Sequence, residues 1–150
     1  MARLLMVCSS GGHLAQMLTM EPWWQDHERW WATFRTPDAE VALADEKVSW
    51  VFHPTTRNVK NAVRNCGLAL RLLRRLRPDV VISTGAGVAV PFFLMARAMG
   101  IPTVFVEVYD RLDSRTLTGR LCQPLSSLSC VQFEEQLALY PGAEVIGPLL

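Results

Sequence analysis

Val80-Val81-Ile82-Ser83-Thr84-Gly85-Ala86-Gly87-Val88 reads as a short, continuously apolar strand that runs into a glycine loop and then a helix. A run of that kind suits a strand covered on both faces, as in a parallel sheet. The same device stands at the start of the chain, where Leu4 to Cys8 lead into Ser9-Ser10-Gly11-Gly12-His13. Working outward, strands are expected at Arg3–Ser9, Arg29–Phe34, Val48–His53, Val80–Ser83, Thr103–Glu107 and Leu128–Phe133. Helical patterns fall between them at His13–Met20, Pro37–Ala44, Val59–Arg77, Val88–Met99, Thr116–Ser126 and Glu134–Leu139. Strict alternation of this kind predicts an α/β fold, a Rossmann-like doubly wound parallel sheet with crossover helices. In the strand order 3-2-1-4-5 the first and fourth strands are neighbours, so both glycine loops border one crevice at the carboxyl ends of the strands.

Composition agrees with a single domain over residues 1–150. Fifteen basic side chains against fourteen acidic give a net charge of +1, which excludes a bulk polyanion binder. At 50% hydrophobic and 19% charged residues the chain can close one core, and it is too short for two domains of the usual ~100–150 residues. Four cysteines lie scattered without CxxC spacing, which points to a reduced, cytoplasmic compartment. The apolar run at the N-terminus is too short for a signal peptide. The longest apolar stretch, Val88 to Val106, is broken by Pro91, Arg97, Gly100 and Pro102. It falls short of the ~20 apolar residues a spanning helix needs, so membrane association is expected to be peripheral.

The long helix carries Val59, Ala62, Val63, Cys66, Leu70, Leu73 and Leu76 at three- and four-residue steps, a stripe expected to pack on the sheet. Arg57, Lys60, Arg64, Arg71, Arg74 and Arg75 recur on another face with no acidic residue between Thr56 and Pro78. Such a ridge serves as a solvated outer face or as an attractant for an anionic membrane surface, at about 1 kcal/mol per basic residue near it. Nucleic acid is disfavoured, since the pattern lacks stacking aromatics between the basic residues.

The loops carry the chemistry. Glycine lets backbone N–H groups approach an anion at the positive end of a helix, which suits a phosphate at Gly11 and Gly12 and again at Gly85 and Gly87. The pattern is not GxGxxG, and no acidic residue ends the second strand to take a ribose hydroxyl, which counts against a dinucleotide site. A tight strand-to-helix turn is the plainer use of Gly85 and Gly87. Glu107, at the end of the fifth strand, is followed by Asp110 and Arg111. His13 lies in the first glycine loop, and imidazole is the side-chain type suited to a general base near neutral pH; a helix cap or a hydrogen-bonded neighbour is its alternative. Glu107 is the rival base, with a buried ion pair to Arg111 as its structural alternative. The three histidines are scattered and no Asp-x-Asp occurs, so no metal site and no cofactor are expected.

Several separated motifs occur in order: Ser-Ser-Gly-Gly-His-Leu at 9–14, Thr-Arg-Asn at 56–58, Ile-Ser-Thr-Gly-Ala-Gly-Val-Ala-Val-Pro at 82–91, Glu-Val-Tyr-Asp-Arg-Leu-Asp at 107–113, Thr-Leu-Thr-Gly-Arg at 116–120 and Gly-Pro-Leu at 147–149. Together they resemble the PssD-type subunit of bacterial capsule and exopolysaccharide glycosyltransferases. That family is similar to the membrane-side subunit of the eukaryotic two-part transferase that adds the second N-acetylglucosamine to dolichol pyrophosphate. More distantly the glycine loops resemble the N-terminal half of MurG. The resemblance implies the acceptor-side, N-terminal half of a GT-B enzyme, with a separate PssE-type subunit binding the UDP-sugar and a polyprenyl-pyrophosphate-linked sugar as acceptor. Carried over by motif, Ser9, Ser10, Gly11, Gly12 and His13 face the acceptor. Gly85 and Gly87 line its pyrophosphate, and Glu107, Asp110 and Arg111 complete that wall. The implied place is peripheral, on the cytoplasmic face of the cell membrane. Anchoring candidates are Trp23 and Trp24, whose rings suit the headgroup boundary, together with Arg64, Arg71 and Arg74 of the ridge. Trp23 and Trp24 are alternatively core or partner interface. The alternative function is a non-catalytic subunit that recruits the catalytic partner to the membrane. The apolar run Glu144–Leu150 is expected to dock on the partner or to continue the sheet edge.

Overall fold

A computed structural model describes residues 1–55, 57–109 and 114–149. One seven-stranded sheet, parallel throughout, has the order β3-β2-β1-β4-β5-β6-β7. The strands are β1 Arg3–Cys8, β2 Glu28–Thr33, β3 Val48–Trp50, β4 Val80–Gly85, β5 Thr103–Val106, β6 Leu128–Val131 and β7 Glu144–Val145. The helices are α1 Gly12–Thr19, α2 Glu21–Trp24, α3 Pro37–Ala42, α4 Val59–Leu76, α5 Ala89–Ala98 and α6 Leu117–Cys122. The expected neighbours are in place, and the terminal run continues the sheet: Glu144 and Val145 pair with Cys130 and Val131.

Alternate strand residues point to opposite faces, and each face has its own core. Leu5, Val7, Val81 and Phe105 pack under α4, α5 and α6 through Leu68, Leu72, Leu73, Phe92, Phe93 and Cys122. Leu4, Met6, Ile82 and Val106 pack on the other side against Leu14 and Met17 of α1, Trp24 of α2 and Ala39 of α3. The second layer stops short of β5 and β6. An apolar groove of about 410 Å³ remains there, lined by Trp23, Val104, Val106, Leu128 and Ile146 among others.

Several boundaries differ from the expectation. The strand expected over Val48–His53 ends at Trp50, because a side chain takes over its pairing. Asn65 of α4 accepts from the Phe52 N–H at 2.9 Å and donates to the Phe52 carbonyl at 3.0 Å. Asn61 donates to the Pro54 carbonyl at 2.8 Å. These two buried amides fix the roll of α4, and the predicted stripe is therefore turned. Leu68, Ala69, Leu72 and Leu73 face inward, while Val59 and Val63 are 79% and 66% exposed. The helix expected over Thr116–Ser126 becomes α6 followed by a 3-10 turn at Gln123–Leu125, since Pro124 cannot extend the α-helical ladder. The segment expected as a helix over Glu134–Leu139 is a 3-10 turn at Glu134–Ala138.

Candidate functional site

A crevice of about 530 Å³ opens at the carboxyl ends of β1, β4 and β5, lined by Gly12, His13, Gln16, Gly85, Ala86, Gly87, Glu107, Val108, Tyr109, Thr116 and Thr118. The β1–β4 ladder places His13 in it. Val7 pairs with Ser83 and Cys8 with Gly85, so Thr84 is left out of the register. Its carbonyl lies 2.9 Å from His13 Nδ1, and its hydroxyl donates to the His13 carbonyl at 2.7 Å. A carbonyl only accepts, so Nδ1 carries the proton and Nε2 of the neutral ring keeps the lone pair. Gly85 makes this contact possible. Its φ is +116°, and a Cβ there would sit 3.3 Å from the imidazole ring. Gly87 is glycine for a different reason, since a Cβ would meet Thr55 at 3.1–3.2 Å. Ala86 holds φ +69° without being glycine, a conformation that costs an L-residue about 1–2 kcal/mol.

Two helices begin at this crevice, α1 from the first glycine loop and α5 from the second. Both lack a capping side chain and an acidic residue in the first turn. The other α-helices have one or the other: Glu21 in α2, Asp38 and Glu40 in α3, the Asn58 cap of α4 and the Thr116 cap of α6. The start of α1 meets the Asp38 carboxylate through the Gly11 N–H, so the uncompensated positive end is that of α5, and such an end favours an anionic ligand.

The remaining residues named from the sequence divide. Gly12 lines the crevice, but Ser9, Ser10 and Gly11 do not. Ser9 is buried with its hydroxyl on the Ser10 carbonyl, and the Gly11 N–H is spent on Asp38 Oδ2 at 3.0 Å. Asp110 and Arg111 lie outside the described residues. Glu107 lines the crevice but is only 2% exposed. Its carboxylate accepts from the Val108 N–H at 2.9 Å, the Thr116 hydroxyl at 3.1 Å and the Tyr140 hydroxyl. Burial first, then this carboxylate, raises the Tyr140 pKa well above the usual phenol range. Burial, followed by the Glu107 charge, pushes the Cys122 thiol up to about 12. Burial does the same to Cys8. Glu107 is thus a buried tie between β5, the start of α6 and the segment after β6.

The membrane pair separates as well. Trp24 is 4% exposed, stacks edge-on against Trp31 and donates to the Met17 carbonyl at 2.9 Å, so it belongs to the core. Trp23 is 45% exposed but lines the groove on the α1 side of the sheet, opposite the ridge of α4. The apolar surface beside the ridge includes Val59 and Val63, which the periodicity predicts to face inward. Val59, Leu94, Leu117 and Leu121 are exposed around a groove of about 730 Å³ that shares Gly87 and Thr118 with the crevice, and Val63 is exposed on the same helix as Val59. Arg64 and Arg74 of the ridge are solvent-exposed, as is Arg71. No described helix is long and apolar enough to cross a membrane.

Sequence reasoning missed Thr84, Thr116, Tyr140 and Gln16. Gln16 had a readable signal, since it stands three residues after His13 and so on the same face of α1. Tyr140 had none, because its partner Glu107 lies 33 residues away.

Known proteins are similar to this chain in sequence and in fold. Residues 46–149 match the family model described as "Oligosaccharide biosynthesis protein Alg14 like". The human UDP-N-acetylglucosamine transferase subunit ALG14 is 28% identical over 108 residues, covering 68% of this chain and 48% of that protein. The UDP-N-acetylglucosamine–N-acetylmuramyl-(pentapeptide) pyrophosphoryl-undecaprenol N-acetylglucosamine transferase of Lachnoclostridium phytofermentans is 35% identical over 78 residues, 52% of this chain and 21% of its own length. The chain thus spans about a fifth to a half of these relatives. In fold, the crystal structure of Acinetobacter baumannii MurG superposes over 99% of this chain and 46% of its own, with a TM-score of 0.79 at 20% identity.

Proposed function

This chain belongs to the Alg14-like family of oligosaccharide-biosynthesis proteins, and from that premise we propose that it is the acceptor-side subunit of a two-component glycosyltransferase. It extends a polyprenyl-pyrophosphate-linked sugar in capsule or exopolysaccharide assembly, while a PssE-type partner holds the UDP-sugar. The observation that carries the reading is His13, with Nδ1 held by the Thr84 carbonyl and Nε2 keeping the lone pair, at the crevice where α1 and α5 begin. In the reaction Nε2 takes the proton of the acceptor hydroxyl. Its oxygen bonds to the anomeric carbon from the face opposite UDP, and UDP leaves with the electron pair of the broken C–O bond. Backbone N–H groups at Gly12 and Gly87, which line the crevice, meet the pyrophosphate charge, those of Gly11 and Gly85 being spent on Asp38 and Ser83. Glu107 holds the wall in place and is not the base in this reading, because both of its oxygens are tied to neighbouring donors and its side chain is buried.

Membrane contact is assigned to the exposed patch of Val59, Val63, Leu94, Leu117 and Leu121, with Arg64, Arg71 and Arg74 facing anionic lipid on the cytoplasmic side. That patch adjoins the crevice, so a lipid-linked acceptor reaches His13 without leaving the surface.

The test is to co-express this chain with its glycosyltransferase partner and assay UDP-sugars against a polyprenyl-pyrophosphate-linked sugar, with each chain alone as control. Transfer by the pair alone is expected. His13→Asn should lower turnover by about 10²–10⁴-fold, the usual contribution of a general base. Transfer by the isolated chain, or an unimpaired His13→Asn pair, defeats the reading.

A further inference from the structure

Gln16 lies one turn after His13 on the crevice face of α1 and is 3% exposed. Which end of its amide faces the ligand is decided by a chain of hydrogen bonds that starts at the backbone. Gln132, 1% exposed, receives the Leu149 N–H on Oε1 at 3.0 Å and gives Nε2–H to the Glu107 carbonyl at 3.0 Å. A backbone N–H only donates and a carbonyl only accepts, so the two ends of the Gln132 amide are unambiguous. The second hydrogen on its Nε2 goes to Gln16 Oε1. The oxygen of Gln16 is therefore turned inward, and Nε2 is the end left for the crevice. No described residue accepts from that nitrogen, while every buried side-chain nitrogen and oxygen described has a partner. The Gln16 Nε2 is thus an oriented donor at the crevice surface, locked from behind by a buried network.

We propose that Gln16 is a specificity-determining donor, its Nε2 hydrogen-bonding an oxygen of the acceptor sugar beside the hydroxyl that His13 deprotonates. The inference rests on the function proposed above. A fixed donor selects an oxygen acceptor, a hydroxyl or an acyl carbonyl, and leaves the amide unsatisfied when the sugar lacks one there. Loss of such a partner changes affinity by about 5- to 150-fold.

The experiment titrates the ¹⁵N-labelled chain with farnesyl-pyrophosphate-linked glucose, galactose and N-acetylglucosamine, and with farnesyl pyrophosphate lacking a sugar. The Gln16 side-chain amide signals are those lost in Gln16→Leu. Gln16→Met, similar in length and uncharged, removes the outward donor without adding charge beside the pyrophosphate, which secures the test should the leucine variant fold poorly. The expected result is that a sugar-bearing probe binds more tightly than the sugarless one and moves the Gln16 amide signals. Both variants should then weaken that probe by about 5- to 150-fold and leave the sugarless probe unchanged. Equal binding by variants and wild type, with unmoved amide signals, overturns the role of Gln16 alone. Equal weakening of both probes overturns it too, by assigning the donor to phosphate. No preference of the wild-type chain for any sugar-bearing probe overturns the acceptor reading and this inference with it.

Discussion

Gly119→Ala and Gly67→Ala are the same substitution in two helices, and the structure gives them opposite signs. Gly67 lies in the interior of α4 with nothing within 4 Å of a built Cβ. Alanine there gains about 0.5–1 kcal/mol from the backbone freedom glycine loses on folding. Gly119 sits in α6, where a Cβ would fall inside contact distance of the Tyr140 hydroxyl, 2.8 Å from Glu107 Oε2 and 2.9 Å from Thr116 Oγ1. Tyr140 is 1% exposed and its ring is rigid, so the hydroxyl has no easy retreat. Losing its bond to a buried carboxylate costs about 1.5–3 kcal/mol. Overpacking adds about 1–3 kcal/mol, and the helix-propensity gain returns about 1. The net loss is about 2–5 kcal/mol. Urea denaturation reads both variants. With a slope near ~2 kcal/mol/M the Gly119→Ala midpoint should fall by about 1–2.5 M, and that of Gly67→Ala should rise by about 0.3–0.5 M. A Gly119→Ala midpoint at or above wild type would show that Tyr140 leaves Glu107 freely and that the tie holds nothing.

Other consequences are equally direct. Val59→Asp with Val63→Asp should lower partition onto anionic vesicles at least thirtyfold, for a loss of about 2 kcal/mol or more of apolar contact, and leave the melting temperature unchanged because both side chains are exposed. Arg64, Arg71 and Arg74 changed singly to Gln should each cost about fivefold in the same sedimentation assay. Ala86→Gly relieves the positive φ and should raise stability by about 0.5–1 kcal/mol in urea titration. The Thr36 hydroxyl, followed by the Gly11 N–H, holds the Asp38 carboxyl below its ordinary pKa. A depressed folded pKa gives stability that is present above the unfolded value and is lost as pH falls through the folded one. Asp38→Asn should therefore lessen the loss of stability between pH 5 and the acid range of ~pH 2–3, seen as a shallower fall in the urea midpoint.

The sheet and its crevice were legible because continuous apolar runs and glycine loops are local signals. Val80 to Gly87 announces a strand, a loop and a helix within one stretch, and the winding rule then places it beside β1. The roll of α4 was illegible for a physical reason. Hydrophobic periodicity assigns Val59 and Val63 inward, yet Asn61 and Asn65 are buried because the backbone at 52–54 needs partners that no strand supplies. A helix chooses its face by total satisfaction, and unpaired peptide groups outweigh two valines. Trp24 shows the same limit, since only the fold reveals the Met17 carbonyl that takes its indole N–H. The roles of Glu107 and Gln16 depend on partners 33 and 116 residues distant, beyond any local pattern.

The one-residue mismatch between β1 and β4 has a mechanical meaning. A strand either holds the extra residue or it does not, so the aim of the imidazole is set in whole steps and admits no gradual adjustment. The bearing of the imidazole is taken from two central strands and not from the rim of the crevice. A change of aim would come from the interior of the sheet: deleting Thr84 to make the ladder regular would leave the ring without the carbonyl that guides it.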